Sequence, residues 1–227
     1  KSSAREFFEV ECSASLARTM ETDEKGYPPD LWKKMAELGW LGLALPEPYG
    51  GQGLPLSYLG LVMEEAGRAI APVPLHSTMV AALTIALEGT NGQRQEILPA
   101  VARGDMILTW AVTERDPRLI PEAIETEAAQ DGDDYIINGT KLFVDNFNVA
   151  NKCLVACRTA NSSSSKGDIC LLMVDTDSEG LSYTPYITLA KDKQGAVTFT
   201  NVKVPKENLV VKPSIGWPSV ESMLDRA

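Results

Sequence analysis

Histidine is nearly missing from this sequence: His76 is the only one among 227 residues. A metal site built from several histidines is therefore excluded, and a Ser-His-Asp triad has a single candidate. His76 itself is expected near a helix start, without a chemical role. Positive charge is also short. Lys and Arg number 21 against 31 Asp and Glu, giving a formal net charge of −10. That balance argues against a nucleic-acid partner, which asks for a basic stripe. A polyanionic ligand would have to be met by backbone N–H groups or a few placed cations. No apolar run approaches the ~20 residues of a membrane span. The mixed, charged opening from Lys1 to Glu11 is not a secretory signal, so the expectation is a cytoplasmic protein with no membrane span. The cysteines are few: Cys12, Cys153, Cys157 and Cys170 match no zinc spacing. Buried free thiols in a reducing compartment are expected, with Cys153 and Cys157 facing the same way on one strand.

What is present divides into two textures. The first hundred residues read as helices. One is expected over Ala4 to Met20, and a second opens at Pro28-Pro29-Asp30 with Leu31, Met35 and Leu38 on one stripe and Gly39 as its stop. The stretch Gly39 to Leu56 is too rich in glycine and proline for helix, yet too apolar for a solvated linker, and should cross the structure as a packed segment. Helices over Ser57 to Ala69 (Ser57 as N-cap), Leu75 to Glu88 and Gln93 to Arg103 complete the set.

From Met106 the period changes to that of strands. Met106 to Thr113, Glu125 to Gln130, Tyr135 to Asn138, Lys141 to Val144, Cys153 to Arg158, Ile169 to Val174, Leu181 to Tyr186 and Ala196 to Val202 are short apolar runs between polar turns. Asp131-Gly132 is one turn, and Asn138-Gly139 signals a two-residue hairpin. Asn161 to Ser165 reads as an exposed hairpin loop. The last segment, Ser219 to Ala227, has helical spacing with Pro218 at its start, and its apolar stripe has nothing downstream to pack on; the chain thus reads as truncated. The fold expected is α+β multidomain: an N-terminal all-α helical bundle over 1–105, a β-sandwich or barrel middle domain over 106–212, and the start of a further helical domain over 213–227.

Several strings, in this order, resemble the acyl-CoA dehydrogenase family. Leu41-Gly42-Leu43-Ala44-Leu45-Pro46-Glu47-Pro48-Tyr49-Gly50-Gly51-Gln52-Gly53 is similar to the family's proline, acidic, tyrosine, double-glycine loop, and Leu59 to Ala69 to the helix after it. Ala111-Val112-Thr113-Glu114 resembles the opening of its flavin motif. Asp134 to Lys141 resembles the following hairpin, Phe199 to Leu209 the last strand, and Gly216-Trp217-Pro218 to Arg226 the entry to a C-terminal four-helix bundle.

The resemblance implies FAD as cofactor, an acyl-CoA substrate oxidised to the 2-enoyl-CoA, and a homo- or hetero-oligomer of family members, with electron-transfer flavoprotein as a further partner. The catalytic base is a glutamate of the C-terminal domain, so no residue here takes that role and the chain alone is expected to be inactive. Trp110, Val112 and Thr113 fall on flavin-contacting positions, as do Phe143, Val144 and Asp145. Three departures stand out. Arg118-Leu119-Ile120 replaces the Gly-Ser-Asp that approaches the FAD pyrophosphate, leaving Arg118 either to pair with a phosphate or to be a solvated charge. Asp145 stands where the family places a hydroxyl near the flavin, unless it caps a turn with Asn146. Between Leu189 and Val197 the usual basic and Ser/Thr residues are missing, with Lys191, Lys193 and Gln194 the nearest substitutes. These departures motivate an alternative, a flavin-poor non-catalytic subunit that partners a catalytic homologue.

Overall fold

The computed structural model describes residues 1–159, 169–213 and 215–227. The expected loop at Asn161 to Ser165 lies outside them. Six helices come first: α1 Ser2–Glu11, α2 Ala14–Thr22, α3 Pro29–Glu37, α4 Leu56–Arg68, α5 Leu75–Glu88 and α6 Asn91–Ala102. The single helix expected over Ala4 to Met20 is in fact two. Ser13 adopts extended backbone and its Oγ accepts from Leu16 N at 3.2 Å, so it caps α2 and ends the run through Cys12. In α3 the core is reached by Trp32 rather than Leu38, which is half exposed at the C-cap; Trp32 Nε1 donates to Gly104 O at 3.1 Å. Ser57 does not cap α4, since Pro55 is the N-cap residue and makes no side-chain bond. α6 starts earlier than expected because Thr90 and Gln93 form a reciprocal capping box. The glycine-rich segment does cross the structure packed, with Leu41 and Leu45 fully buried.

The β-unit follows: β1 Leu108–Ala111, β2 Glu127–Asp131, β3 Asp134–Asp145, β4 Lys152–Thr159, β5 Ile169–Asp175, β6 Leu181–Pro185, β7 Gln194–Pro205 and β8 Leu209–Val211. Their order is β6-β7-β3-β2-β4-β5-β8, with β1 beside the other half of β4. The sheet folds over on itself, so β3 and β7 share one apolar core with the inner faces of β4 and β5. The opposite faces of β4 and β5, carrying Leu154, Ala156, Ile169, Leu171 and Met173, pack into the helical core. All four cysteines are buried and free, and Cys153, Cys157 and Cys170 all face the inner core.

Asn138-Gly139 is not a hairpin. β3 runs through it as one strand, and the register shift there is taken up on β7 at Asn201, whose N–H donates to Asn138 Oδ1 at 2.8 Å. Gly139 is required for another reason: a Cβ there would lie 2.6 Å from Thr126 Oγ1. The hairpin turn proper is at Gly132, between β2 and β3. The final helix, α7 Gly216–Leu224, does not lack a partner for its stripe, because Val220 and Met223 are fully buried against α5 and β5. Among the described residues no helix is long and apolar enough to cross a membrane.

Candidate functional site

The site is built where the exit of β1 runs beside the end of β3. Leu142 N donates to Thr113 O at 2.9 Å, and Thr109 Oγ1 donates to Asp145 O at 2.5 Å, so residues 109–113 and 142–145 lie side by side. The structure therefore brings the six expected contact residues together, though not all present side chains. Val112 and Val144 are 2% and 1% exposed and point into cores, leaving only their backbone to a ligand. Trp110 and Thr113 are half-buried. Phe143 is the outlier, 58% exposed and set edge-on to Tyr186 with ring centroids 5.5 Å apart.

Its exposure has a backbone cause. Between Lys141 and Val144 the β3 ladder gains a residue relative to β7, and Phe143 takes φ +55° at that bulge. A bulky side chain in the left-handed region is strained, by roughly 1–3 kcal/mol.

Beneath the crossing lies a buried ion pair that sequence reasoning missed. Lys141 Nζ donates to Glu114 Oε1 at 2.6 Å and to Val112 O at 3.2 Å. The same carboxylate accepts from Glu125 N at 2.8 Å and Thr126 N at 3.0 Å. The Lys141 side chain is 0% exposed. The pair pins the segment after β1 to β3 and to the approach to β2, and so holds Thr113 beside Leu142. Lys141 shares strand parity with the inward Tyr135 and Ile137, which was a usable signal, but nothing local pointed to Glu114 as its partner.

Two adjoining cavities open on the β3 side of this crossing, and Trp110, Val112 and Thr113 line neither of them. One, of about 600 Å³, is walled by Phe143, Tyr186, Ile187 and Leu189, the last two almost wholly exposed. The other, of about 430 Å³, lies between the ends of α2 and α4 and the polar segment Asp145, Asn146 and 191–194. Both reach Asp192 and Gln194. Asp145 faces this second cavity rather than simply capping a turn. Burial raises its carboxyl above the ordinary value and Asp192 adds to the rise, while His76 and the hydrogen-bonded Gln194 oppose it. Five non-glycine residues have positive φ among the described residues, and four of them, Ile70, Phe143, Asn146 and Lys191, line one cavity or the other. Strained backbone of this kind gathers at functional sites.

Other candidates are engaged elsewhere. Arg118 is solvent-exposed and ion-paired with Asp116, whose carboxyl its hydrogen bonds hold down at about 2. Lys193 donates to Glu21 O at 3.0 Å, with its stem lying across Gly26. His76, second residue of α5, is exposed and meets Ala227 O at 2.8 Å. No group of three or more potential metal ligands occurs among the described residues.

Residues 1–105 match the family model for the acyl-CoA dehydrogenase N-terminal domain, and residues 109–202 match that for the middle domain. The chain is 34% identical over 195 residues to acyl-CoA dehydrogenase FadE26 of Mycobacterium tuberculosis, covering 85% of this chain and 49% of that protein. It thus spans about half the length of that relative. Among solved structures, one is the ChsE4-ChsE5 complex from Mycobacterium tuberculosis, at TM-score 0.86 and 30% identity over 99% of this chain and 58% of that one. Another is a glutaryl-CoA dehydrogenase from Mycobacterium smegmatis in complex with FADH2, at TM-score 0.83 and 25% identity over 99% and 57%.

Proposed function

Since the chain belongs to the acyl-CoA dehydrogenase family and covers its N-terminal and middle domains, we propose that the protein is an FAD-dependent oxidoreductase acting on an acyl-CoA thioester. This chain would supply the flavin-ring wall and one side of the acyl pocket. The observation that carries the reading is the gathering of left-handed, non-glycine backbone around two adjoining cavities, next to the strand crossing that holds Thr113 beside Leu142. A fold tolerates such strain where a ligand uses the side chains it aims.

FAD, when bound, supplies the hydride acceptor. The chain's own residues would hold its ring end. The exposed face of Phe143 offers a stacking surface. Thr113 offers a hydroxyl, and Val112 and Val144 offer backbone to the ring edge, with Trp110 and Asp145 flanking. The residues fit the ring end of the cofactor. They do not fit its pyrophosphate end, where bulky Leu119 stands exposed in place of a small hydroxyl residue and Arg118 is paired at the surface with Asp116. No residue of this chain is assigned as the base, so the chain by itself is expected not to turn over acyl-CoA. Assembly with a second family member, and delivery of electrons to an electron-transfer flavoprotein, are the partnerships this reading implies. Domain limits at 105/106 and 212/213 go with it. A flavin-poor subunit is the less favoured alternative, because most of the relatives are named as acyl-CoA dehydrogenases and one as a reductase.

The test uses the ring alone. Titrated with FAD and with lumiflavin, the chain is expected to quench the fluorescence of both with similar affinity, and Phe143→Ala to weaken both about tenfold. Absence of any quenching by wild type sinks the flavin reading for this chain.

A further inference from the structure

Three helices of this chain end on a left-handed residue whose N–H closes the last turn, and two of them, α4 and α6, share the full pair of closing hydrogen bonds. α3 ends at Gly39 with φ +73°, and α6 at Gly104 with φ +75°. At α6 the closing bonds are Gly104 N to Val101 O and Asp105 N to Ala100 O, both 2.9 Å. α4 closes in the same way, Ile70 N to Gly67 O at 3.1 Å and Ala71 N to Ala66 O at 2.9 Å, but the left-handed residue is an isoleucine at φ +52°. Glycine is the residue this position favours, and a β-branched side chain is the least suited to it.

Among the described residues the core does little to reward the exchange. Ile70 is 72% exposed, so its side chain earns little from the core. What it does touch is the cavity of about 430 Å³. The helical side is mostly apolar, made by Ala17, Met20, Ala66, Ile70, Ala71 and Val73 with Glu21 as its one charged member, while the polar segment of Asp145, Asn146 and 191–194 makes the other side. A cavity divided in this way suits a ligand with an apolar chain on one flank and a polar, hydrogen-bonding linkage on the other.

We propose that Ile70 is a specificity-determining residue, held in a strained helix cap so that its side chain lines the path of the apolar acyl chain of a CoA thioester. This rests on the acyl-CoA reading above. The residue acts by contact with the acyl chain and takes no part in the chemistry.

The experiment sets stability against binding in the whole chain. Ile70→Gly relieves the left-handed strain and is expected to raise Tm by about 2–4 °C. It is also expected to weaken binding of dodecanoyl-CoA about tenfold in calorimetric titration, with CoA itself unchanged. Ile70→Asn, which tolerates the same backbone, is expected to repeat both effects, and Ile70→Val to keep Tm and affinity near wild type. If dodecanoyl-CoA binds wild type and Ile70→Gly equally, the proposal is overturned while the acyl-CoA reading stands. If wild type binds dodecanoyl-CoA no better than CoA, the acyl-CoA reading fails for this chain and the proposal with it. A fall in Tm for both Gly and Asn would overturn the strain argument.

Discussion

The β4–β5 pair and the rim around Phe143 are neighbours in one sheet, yet they are stabilised in opposite ways. On β4 and β5, residues 153–157 and 169–174 are buried on both faces. Their even positions on one strand and odd on the other look into the helices, and the remainder look into the β-core. Burying each such leucine or valine is worth roughly 1.5–3 kcal/mol, and the backbone is regular. At the rim the accounts run the other way. Phe143, Ile187 and Leu189 are 58%, 97% and 100% exposed, and the backbone at Phe143, Asn146 and Lys191 is left-handed. One region is held by what it buries. The other is held up by its surroundings, through the bulge on β3, the hydrogen bond from Asn146 N to Lys193 O at 2.7 Å and the Lys141–Glu114 pair below.

The sharpest way to break this contrast is to remove the support. Lys141→Met leaves the Glu114 carboxylate buried without its cation, and should cost about 3–5 kcal/mol in urea-induced unfolding. Lys141→Met combined with Glu114→Leu should recover much of that loss. A single-substitution cost below about 1 kcal/mol would mean the rim does not depend on the pair.

A smaller effect of opposite sign is expected at Asp145. Because burial raises its folded-state carboxyl above the unfolded value, the native state binds more protons across that interval, and stability falls as pH rises through it. Asp145→Asn removes this penalty, so the variant should melt higher than wild type at neutral pH. The advantage should vanish at a pH below the ordinary aspartate range, where both states are protonated. A melting difference independent of pH would show that the carboxyl is not the cause. Least is expected at Leu189→Ser, which should change stability by less than about 0.5 kcal/mol while lowering adsorption of a hydrophobic dye. A cost of the size seen at core leucines would erase the distinction between the two regions.

Much of the architecture was legible in the sequence because periodicity is local. α5 is apolar nearly all round and occupies Leu75–Glu88 as its pattern implies. β4 and β5 are short continuous apolar runs and proved doubly buried. Failures came where one residue has several uses. Asn138-Gly139 carries the composition of a hairpin turn, but the pair serves a bulge on the neighbouring strand and a close approach to Thr126. The single helix expected over Ala4 to Met20 missed the cap at Ser13, and the packing of Phe7 and Phe8 on Trp40 that fixes α1 is a contact between segments remote in sequence. For the candidate site, the ordered strings located residues 110–113 and 143–145, but not that Val112 and Val144 turn inward or that Ile70 and Asp145 share a cavity.

By itself, the amino-acid order determined the helical half, the strand-rich half and the family both halves belong to, since each depends on spacing along the chain and on short motifs in series. Only the tertiary structure decided which side chains meet across 27 residues at Lys141 and Glu114, where Phe143 is turned out, and what lies beside Ile70. Those facts depend on distances through space between segments remote in sequence, and on backbone angles that neighbouring elements impose against local preference.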